Sequence, residues 1–236
     1  MVETGPQAKQ RGAFYRWLFC SVIGLTAMGC EKPDSPRSSS QETMMVTQDG
    51  LEFSANLTAD DSRMTIHYTV KNKGDLTVHL MNRVVAYKDG LPTFSADNAY
   101  IYTESSSLVV EKAIPPVPVG LAPTELIVPY STPLYPGTTF EESVDVELPV
   151  KENRAYQRRR ATDETFTVEV VLFRLGYVTA PQGSIETTET VGDQKVVLFR
   201  APPGTLARPE VIEISVPVTH RQTGKPSSVK VFVPSL

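Results

Sequence analysis

The chain has 236 residues, a formal charge of −4, 40% hydrophobic residues and 21% charged residues. That apolar content can build a core and excludes wholesale disorder, and the acidic balance argues against nucleic acid as a partner. Two cysteines and three histidines exclude a disulfide-built scaffold and a four-cysteine zinc site.

The first sixteen residues carry Lys9, Arg11 and Arg16 against Glu3, and Trp17 to Gly29 follow without a charge. An apolar run of that length falls short of the roughly 20 residues a spanning helix takes. A basic start before a short apolar run has the pattern of a signal peptide. Ala27-Met28-Gly29-Cys30 then resembles a bacterial lipobox, departing from the usual pattern at Ala27 and Met28. The resemblance implies a leader over 1–29, a lipid on Cys30 and anchorage in the bacterial cell envelope. By the same resemblance, Glu31 after the lipidated cysteine implies the outer membrane, facing the periplasm. Cys30 and the Ser/Pro-rich stretch after it (30–45) read as a flexible tether. Cleavage removes Cys20 and Trp17, and the loss of three basic and one acidic residue takes the formal charge from −4 to −6. With Cys30 blocked by lipid, the rest of the chain has no thiol for nucleophilic or metal chemistry.

From residue 46 the pattern is period two. Ile66, Tyr68 and Val70 alternate with Thr65, His67 and Thr69, and the same holds at 144–148, 212–218 and 229–233. Phe166 to Leu175 and Lys195 to Arg200 are denser apolar runs that suit central strands. The fold expected over 46–236 is an all-β, antiparallel β-sandwich whose strands each face core on one side and water on the other. In pattern it resembles immunoglobulin-like modules of bacterial envelope proteins. One hairpin can be registered around Asn72-Lys73-Gly74, pairing Val70 with Leu76, Tyr68 with Val78, Ile66 with Leu80 and His67 with His79. A second would join 99–102 to 108–111, and a third 211–218 to 228–233. Ile114 to Pro136 holds seven prolines in 23 residues and reads as a connection between sheets rather than a central strand. The polar stretch 151–162 is the candidate site for a subdivision into two units. Val-Val-Leu-Phe-Arg occurs at 170–174 and 196–200 without matching flanks, so no repeat fold follows.

The chemistry-bearing residues are few. There is no nucleophile elbow and no phosphate-binding glycine loop. Asp145 and Glu147 share a strand face but alternate with core valines, as a solvated face does. The expected register would set His67 and His79 opposite each other, close enough for both imidazoles to reach one zinc or copper ion. A third ligand would have to come from Asp60, Asp61 or His220; without one, the pair is two surface histidines. Arg154, Arg158, Arg159 and Arg160 could bind an anion, a lipid headgroup or an acidic partner. The function expected is a membrane-tethered, non-enzymatic binding or structural module with an envelope protein as partner. A metal-handling domain is the alternative, and a hydrolase with dispersed residues ranks third.

Overall fold

The computed structural model describes residues 43–233 apart from 106, 125–126, 157–163, 192–193 and 206. The leader, Cys30, most of the tether, and Arg158, Arg159 and Arg160 therefore lie outside the described residues. Those described belong to one compact unit and form strands without a helix.

The first sheet contains β1 (Met44–Gln48), β2 (Leu51–Ala59), β3 (Arg63–Asn72) and β10 (Thr139–Glu147), antiparallel in that order. The short β17 (Thr219–His220) lies parallel to the end of β2. Among the described residues the first strand begins at Met44, two residues before the alternation read from the sequence. Asp49 and Gly50 join β1 to β2 with φ of 50° and 78°. Two successive left-handed residues make the turn whose twist matches paired strands, and Asp-Gly is a preferred sequence for it. The small hairpin of β5 (Ala86–Lys88) and β6 (Leu91–Thr93) repeats the device at Asp89 and Gly90.

The second sheet is larger and forks. Its trunk is β13 (Val170–Thr179), with β16 (Glu210–Pro217) along one edge from Val170 to Tyr177. The opposite edge pairs first with β8 (Ser107–Lys112), at 171–175, and then with β4 (Val78–Arg83), at 177–179. One branch continues from β8 to β7 (Tyr100–Glu104). The other continues from β4 through β9 (Tyr130–Leu134) and β15 (Gln194–Arg200) to β14 (Ile185–Val191). A third sheet holds β11 (Val150–Lys151), β18 (Val229–Val233) and β12 (Glu164–Val168). Three pairs run parallel, namely β8 with β13, β17 with β2 and β11 with β18. The second sheet is therefore mixed rather than purely antiparallel.

The fork passes through Gly176. A Cβ built there would lie 2.8 Å from both Cα and Cβ of Ala113, and 3.3 Å from Cβ of Met81. Ala113 follows β8 and Met81 belongs to β4, so the missing side chain is the space in which the two branches meet.

The two main sheets face each other over one core. Alternation on β2 buries Leu51, Phe53, Ala55, Leu57 and Ala59, and β13 contributes Val171, Phe173, Leu175 and Tyr177. Phe173 carries the contact across the layers, its ring 5.7 Å from Phe53 and 4.9 Å from Tyr68. Each such side chain contributes about 1.5–3 kcal/mol by leaving water.

One polar cluster penetrates this core. Lys112 of β8 is fully buried, yet its Nζ lies 2.6 Å from Oε2 of Glu142 on β10. The Tyr68 hydroxyl donates to the same oxygen at 2.6 Å, and Arg83 of β4 donates to Oε1 at 2.8 Å. One carboxylate from the first sheet thus gathers two cations from the two branches of the second. Burial holds the Lys112 ammonium below its usual pKa, opposed by Glu142. Burial also drives the Tyr68 phenol upward, helped by Glu142.

The structure corrects two of the three expected hairpins. β3 pairs with β2 and β10, whereas the strand after it, β4, enters the other sheet. Ile66, Tyr68 and Val70 do share a core with Val78 and Leu80, but Leu76 is exposed and His79 is buried, so the alternation does not continue through β4. The two sets lie in opposite layers, and alternation alone does not distinguish a neighbour in the sheet from one in the opposite layer. Asn72 turns the chain across. Its Oδ1 accepts from Gly74 N at 2.9 Å, and its Nδ2 donates to the carbonyls of Leu76 and Leu134 at 2.8 and 2.9 Å. The expected C-terminal hairpin is likewise divided, with β16 on β13 and β18 between β11 and β12. The hairpin of β7 and β8 is present, shifted by one residue so that Tyr100 pairs with Glu111 and Glu104 with Ser107. The proline-rich stretch also contains β9, which lies inside a branch. Its neighbour β15 pairs with it only at Val197 and Ser131, so Pro133 falls beyond that contact.

Gly176→Val should lower the urea midpoint by a stability loss of about 1–3 kcal/mol with an unchanged slope, since the added carbons meet backbone. Glu142→Gln should cost about 3–5 kcal/mol, because it leaves Lys112 buried beside Arg83. Lys112→Met should cost much less in the same denaturation series, because Arg83 and Tyr68 still hold the carboxylate.

Candidate functional site

Alternation on the forked sheet places a row of polar side chains on the face away from the core. Tyr100 pairs with Glu111, Glu111 with Arg174, and Arg174 with Glu213, one residue from each of β7, β8, β13 and β16. Tyr102 lies one step along β7 on the same face. Its hydroxyl donates to Glu111 Oε2 at 2.7 Å and accepts from Arg174 Nη1 at 3.0 Å. Arg174 also reaches Glu104 Oε2 at 2.7 Å and Glu213 Oε2 at 2.5 Å. Burial opposes the Arg174 charge, but these partners prevail and hold the guanidinium firmly protonated. Burial raises the Glu111 carboxyl above its usual range and pushes the Tyr100 phenol up to about 12.

The outer edge of β7 is closed by the chain at 152–154. Ile101 N donates to Asn153 O at 2.8 Å and Asn153 N donates back to Ile101 O at 2.6 Å. Thr103 N donates to Glu152 Oε1 at 2.7 Å, and Arg154 Nη2 donates to Thr103 O at 2.6 Å. These contacts carry Arg154 onto the Tyr102 ring, its guanidinium carbon 5.0 Å from the ring centroid. Arg154 also pairs with Glu152 at 3.3 Å. Arg154 is thus stacked and paired, while Arg158, Arg159 and Arg160 of the expected cluster lie outside the described residues.

Above this row lies a groove of about 410 Å³. Tyr100, Tyr102, Glu111 and Arg174 form its floor, the prolines and valines of 115–119 one wall, and Arg154 to Tyr156 the other. Val117 and Val119 of the proline wall are exposed, Val119 almost completely. Two buried polar atoms in the lining have no hydrogen-bond partner among the described residues, the Tyr100 hydroxyl and Arg154 Nε. Both arginines are already matched by carboxylates, so a charged ligand gains little here. The unmet demand is for acceptors, beside flat aromatic and pyrrolidine surfaces.

The other candidates fall elsewhere. His67 is exposed on β3, paired with Asn56 and Ser143, and its Nδ1 lies 2.6 Å from Ser143 Oγ. His79 is fully buried in the other sheet, opposite Pro133 and Val178. The two histidines are not brought together, because the register that paired them is the one the crossing at Asn72 replaces. Among the described residues no group of three or more His, Cys, Asp or Glu could hold a metal. Asp60 is occupied locally, accepting from Ser62 and Arg63. Asp145 is likewise satisfied, by Arg63 and Thr65 at 2.8 and 2.6 Å.

His79 does meet a serine and an acid. Nδ1 lies 3.2 Å from Ser131 Oγ, Ser131 in turn donates to Val197 O at 3.3 Å, and Phe199 stacks on the ring at 4.6 Å. Nε2 is 3.3 Å from Glu186 Oε1 without hydrogen-bond alignment. Ser131 Oγ thus lies between the His79 ring and the Val197 carbonyl, buried on β9.

Sequence reasoning found Arg154 but missed Tyr100, Tyr102, Glu111 and Arg174. A signal was available. Glu111 and Lys112 interrupt the apolar run that starts at Leu108, and a charge inside a buried strand needs a partner. Burial holds the His79 pKa below its ordinary 6.5, opposed by Glu186. Above 6.5 both folded and unfolded chains hold the ring neutral. As pH falls through 6.5 the unfolded chain takes up the proton first, so stability drops until the lower folded pKa is reached. The denaturation midpoint should therefore fall on acidification below pH 6.5, and His79→Gln should flatten that slope. Comparison with family models, with curated proteins and with solved structures gives no match.

Proposed function

We propose that this chain is a lipid-tethered bacterial envelope protein that acts by binding, and that its groove takes an extended, proline-containing segment of a partner protein. The N-terminal lipobox resemblance supports the tether. The observation that carries the binding role is the pair of unspent donors, the Tyr100 hydroxyl and Arg154 Nε, in a groove of tyrosine and proline.

An extended polyproline-type segment has the matching chemistry. It makes no internal hydrogen bonds, so its carbonyls are free to accept. Its rings pack on aromatic faces, and its stiffness reduces the entropy lost on docking. The lining holds two buried donors, which a docked carbonyl would reach by displacing the side chains that cover them. Because Arg174 is spent on Glu104 and Glu213, neutral backbone is a better ligand than phosphate or carboxylate. Such a contact would fix a partner near the membrane without any chemical step.

Titration of the isotope-labelled protein with a capped oligoproline peptide should shift backbone resonances of β7, β8 and 152–156. A Gly/Ser peptide of equal length should not. Tyr100→Phe should weaken binding about fivefold, the worth of one hydrogen bond. Tyr102→Ala should weaken it further by removing the ring that Arg154 covers. Oligoproline shifts that fall outside the groove, or none at saturating peptide, would overturn the assignment.

A further inference from the structure

The two branches of the forked sheet end differently. β7 is closed by Asn153 and Glu152. β14 pairs with β15 over seven residues, and among the described residues no strand pairs with its other edge. From Ile185 to Thr190 every residue is exposed, so both faces of the strand meet water. In the ladder, the ribbon of β14 and β15 meets the rest of the sheet at Val197 with Ser131, and Glu186 reaches from it to His79 and Tyr135. An open edge of β-branched residues is a template for another strand, and natural proteins usually blunt such edges with lysine, proline or a bulge. β14 contains no lysine and no proline.

The sequence of the strand identifies the occupant. Ile185-Glu186-Thr187-Thr188-Glu189-Thr190-Val191 is nearly self-complementary when run against itself. With the two-fold axis through Thr188, Thr188 meets Thr188 of the second copy and each Ile185 meets Val191. Each glutamate meets a threonine, Glu186 opposite Thr190 and Glu189 opposite Thr187. Opposed apolar and threonine pairs are favourable, and like charges directly opposite are not. A slip of one residue sets Glu186 against Glu189 twice, or Glu186 against Val191. A slip of two sets Glu189 against itself, or Ile185 against Glu189. Only the centred register avoids every mismatch.

From this open edge and its near-palindromic pattern we infer that β14 pairs antiparallel with β14 of a second copy, forming a two-fold dimer in which the sheet continues from one chain into the other. A two-fold contact uses the same surface on both copies, the commonest form of self-association. One strand pair covers less than the area of a standard stable interface, so the dimer is reversible. The proposed peptide groove lies on β7, β8 and 115–119 and is left uncovered, giving one assembly with two binding sites.

Sedimentation velocity of the purified protein across the micromolar range should show a reversible monomer–dimer equilibrium. Thr188→Lys, which opposes two lysines at the axis of an exposed strand, should remain monomeric with an unchanged melting temperature and unchanged peptide binding. In a background with Cys20 and Cys30 replaced by serine, Thr188→Cys should form a disulfide dimer on mild oxidation. Thr190→Cys should not, since its counterpart lies four residues along the antiparallel strand. A monomer at every concentration, or equal cross-linking from both positions, would overturn the inference. Loss of peptide binding with dimerisation intact would instead count against the groove alone.

Discussion

The architecture depends on a side chain that is absent. β13 exchanges partners along a single edge, from β8 at Leu175 to β4 at Tyr177. The residue between them is Gly176, whose neighbours leave no room for a Cβ. A strand edge normally carries one partner. Two can share it only if the end of one and the start of the other approach closely, and a methyl group at 2.8 Å from backbone would separate them. Everything distinctive about the sheet follows from that approach. The branch through β8 presents the tyrosine-lined groove, and the branch through β4 ends in the open ribbon.

The buried cluster at Glu142 fixes how this forked sheet sits on its partner. The carboxylate belongs to β10 of the first sheet, while its cations come from β8 and β4, one from each branch. Such a cluster adds little net stability over an apolar core of the same volume, because desolvating three charges cancels most of their attraction. Its effect is on alternatives. Were the layers to slip by one residue pair, Lys112 would remain inside without its carboxylate, at a cost of several kcal/mol. Hydrophobic packing tolerates such a slip far better, because apolar contacts are not directional. The glycine therefore permits the fork, and the ion cluster holds both arms of it in register over the core.

Alternation made the fold class and the inward faces legible from the sequence, because burial imposes a period of two on any half-covered strand. It did not reveal partners. Tyr68 and Val78 carry the same apolar signal whether they are neighbours in a ladder or members of one core from opposite layers, so the pattern around Asn72 does not decide between a hairpin and a crossing. The better hairpin signals were short-range ones, Asp49-Gly50 and Asp89-Gly90, where two left-handed residues specify the turn chemically. The site was less legible still. Arg154 stood out as a charge in a polar stretch, but its stacking on Tyr102 depends on a bridge between residues 101 and 153. Glu111 and Arg174 looked like ordinary strand residues until a parallel pairing aligned them. Long-range register creates that row, and one sequence does not encode it in any local window.

The treatment of the two strand ends is the final step. A sheet that forks has more edges than a simple one, and each exposed edge invites unwanted pairing. This chain closes β7 with its own backbone at Asn153 and with the side chain of Glu152, and the same closure delivers Arg154 to the groove. Protection and construction of the site are thus one act. At β14 no such closure exists among the described residues, although the adjacent ribbon is anchored by Glu186, which reaches back to His79 and Tyr135. An edge left open by negligence would be short, irregular or charged throughout. This one is seven residues long, regular, and ordered so that its two glutamates oppose threonine in the centred pairing. Of the self-pairings within two residues of the centre, the centred one alone opposes neither two glutamates nor a glutamate and an apolar residue, and that is the pairing inferred for the open edge.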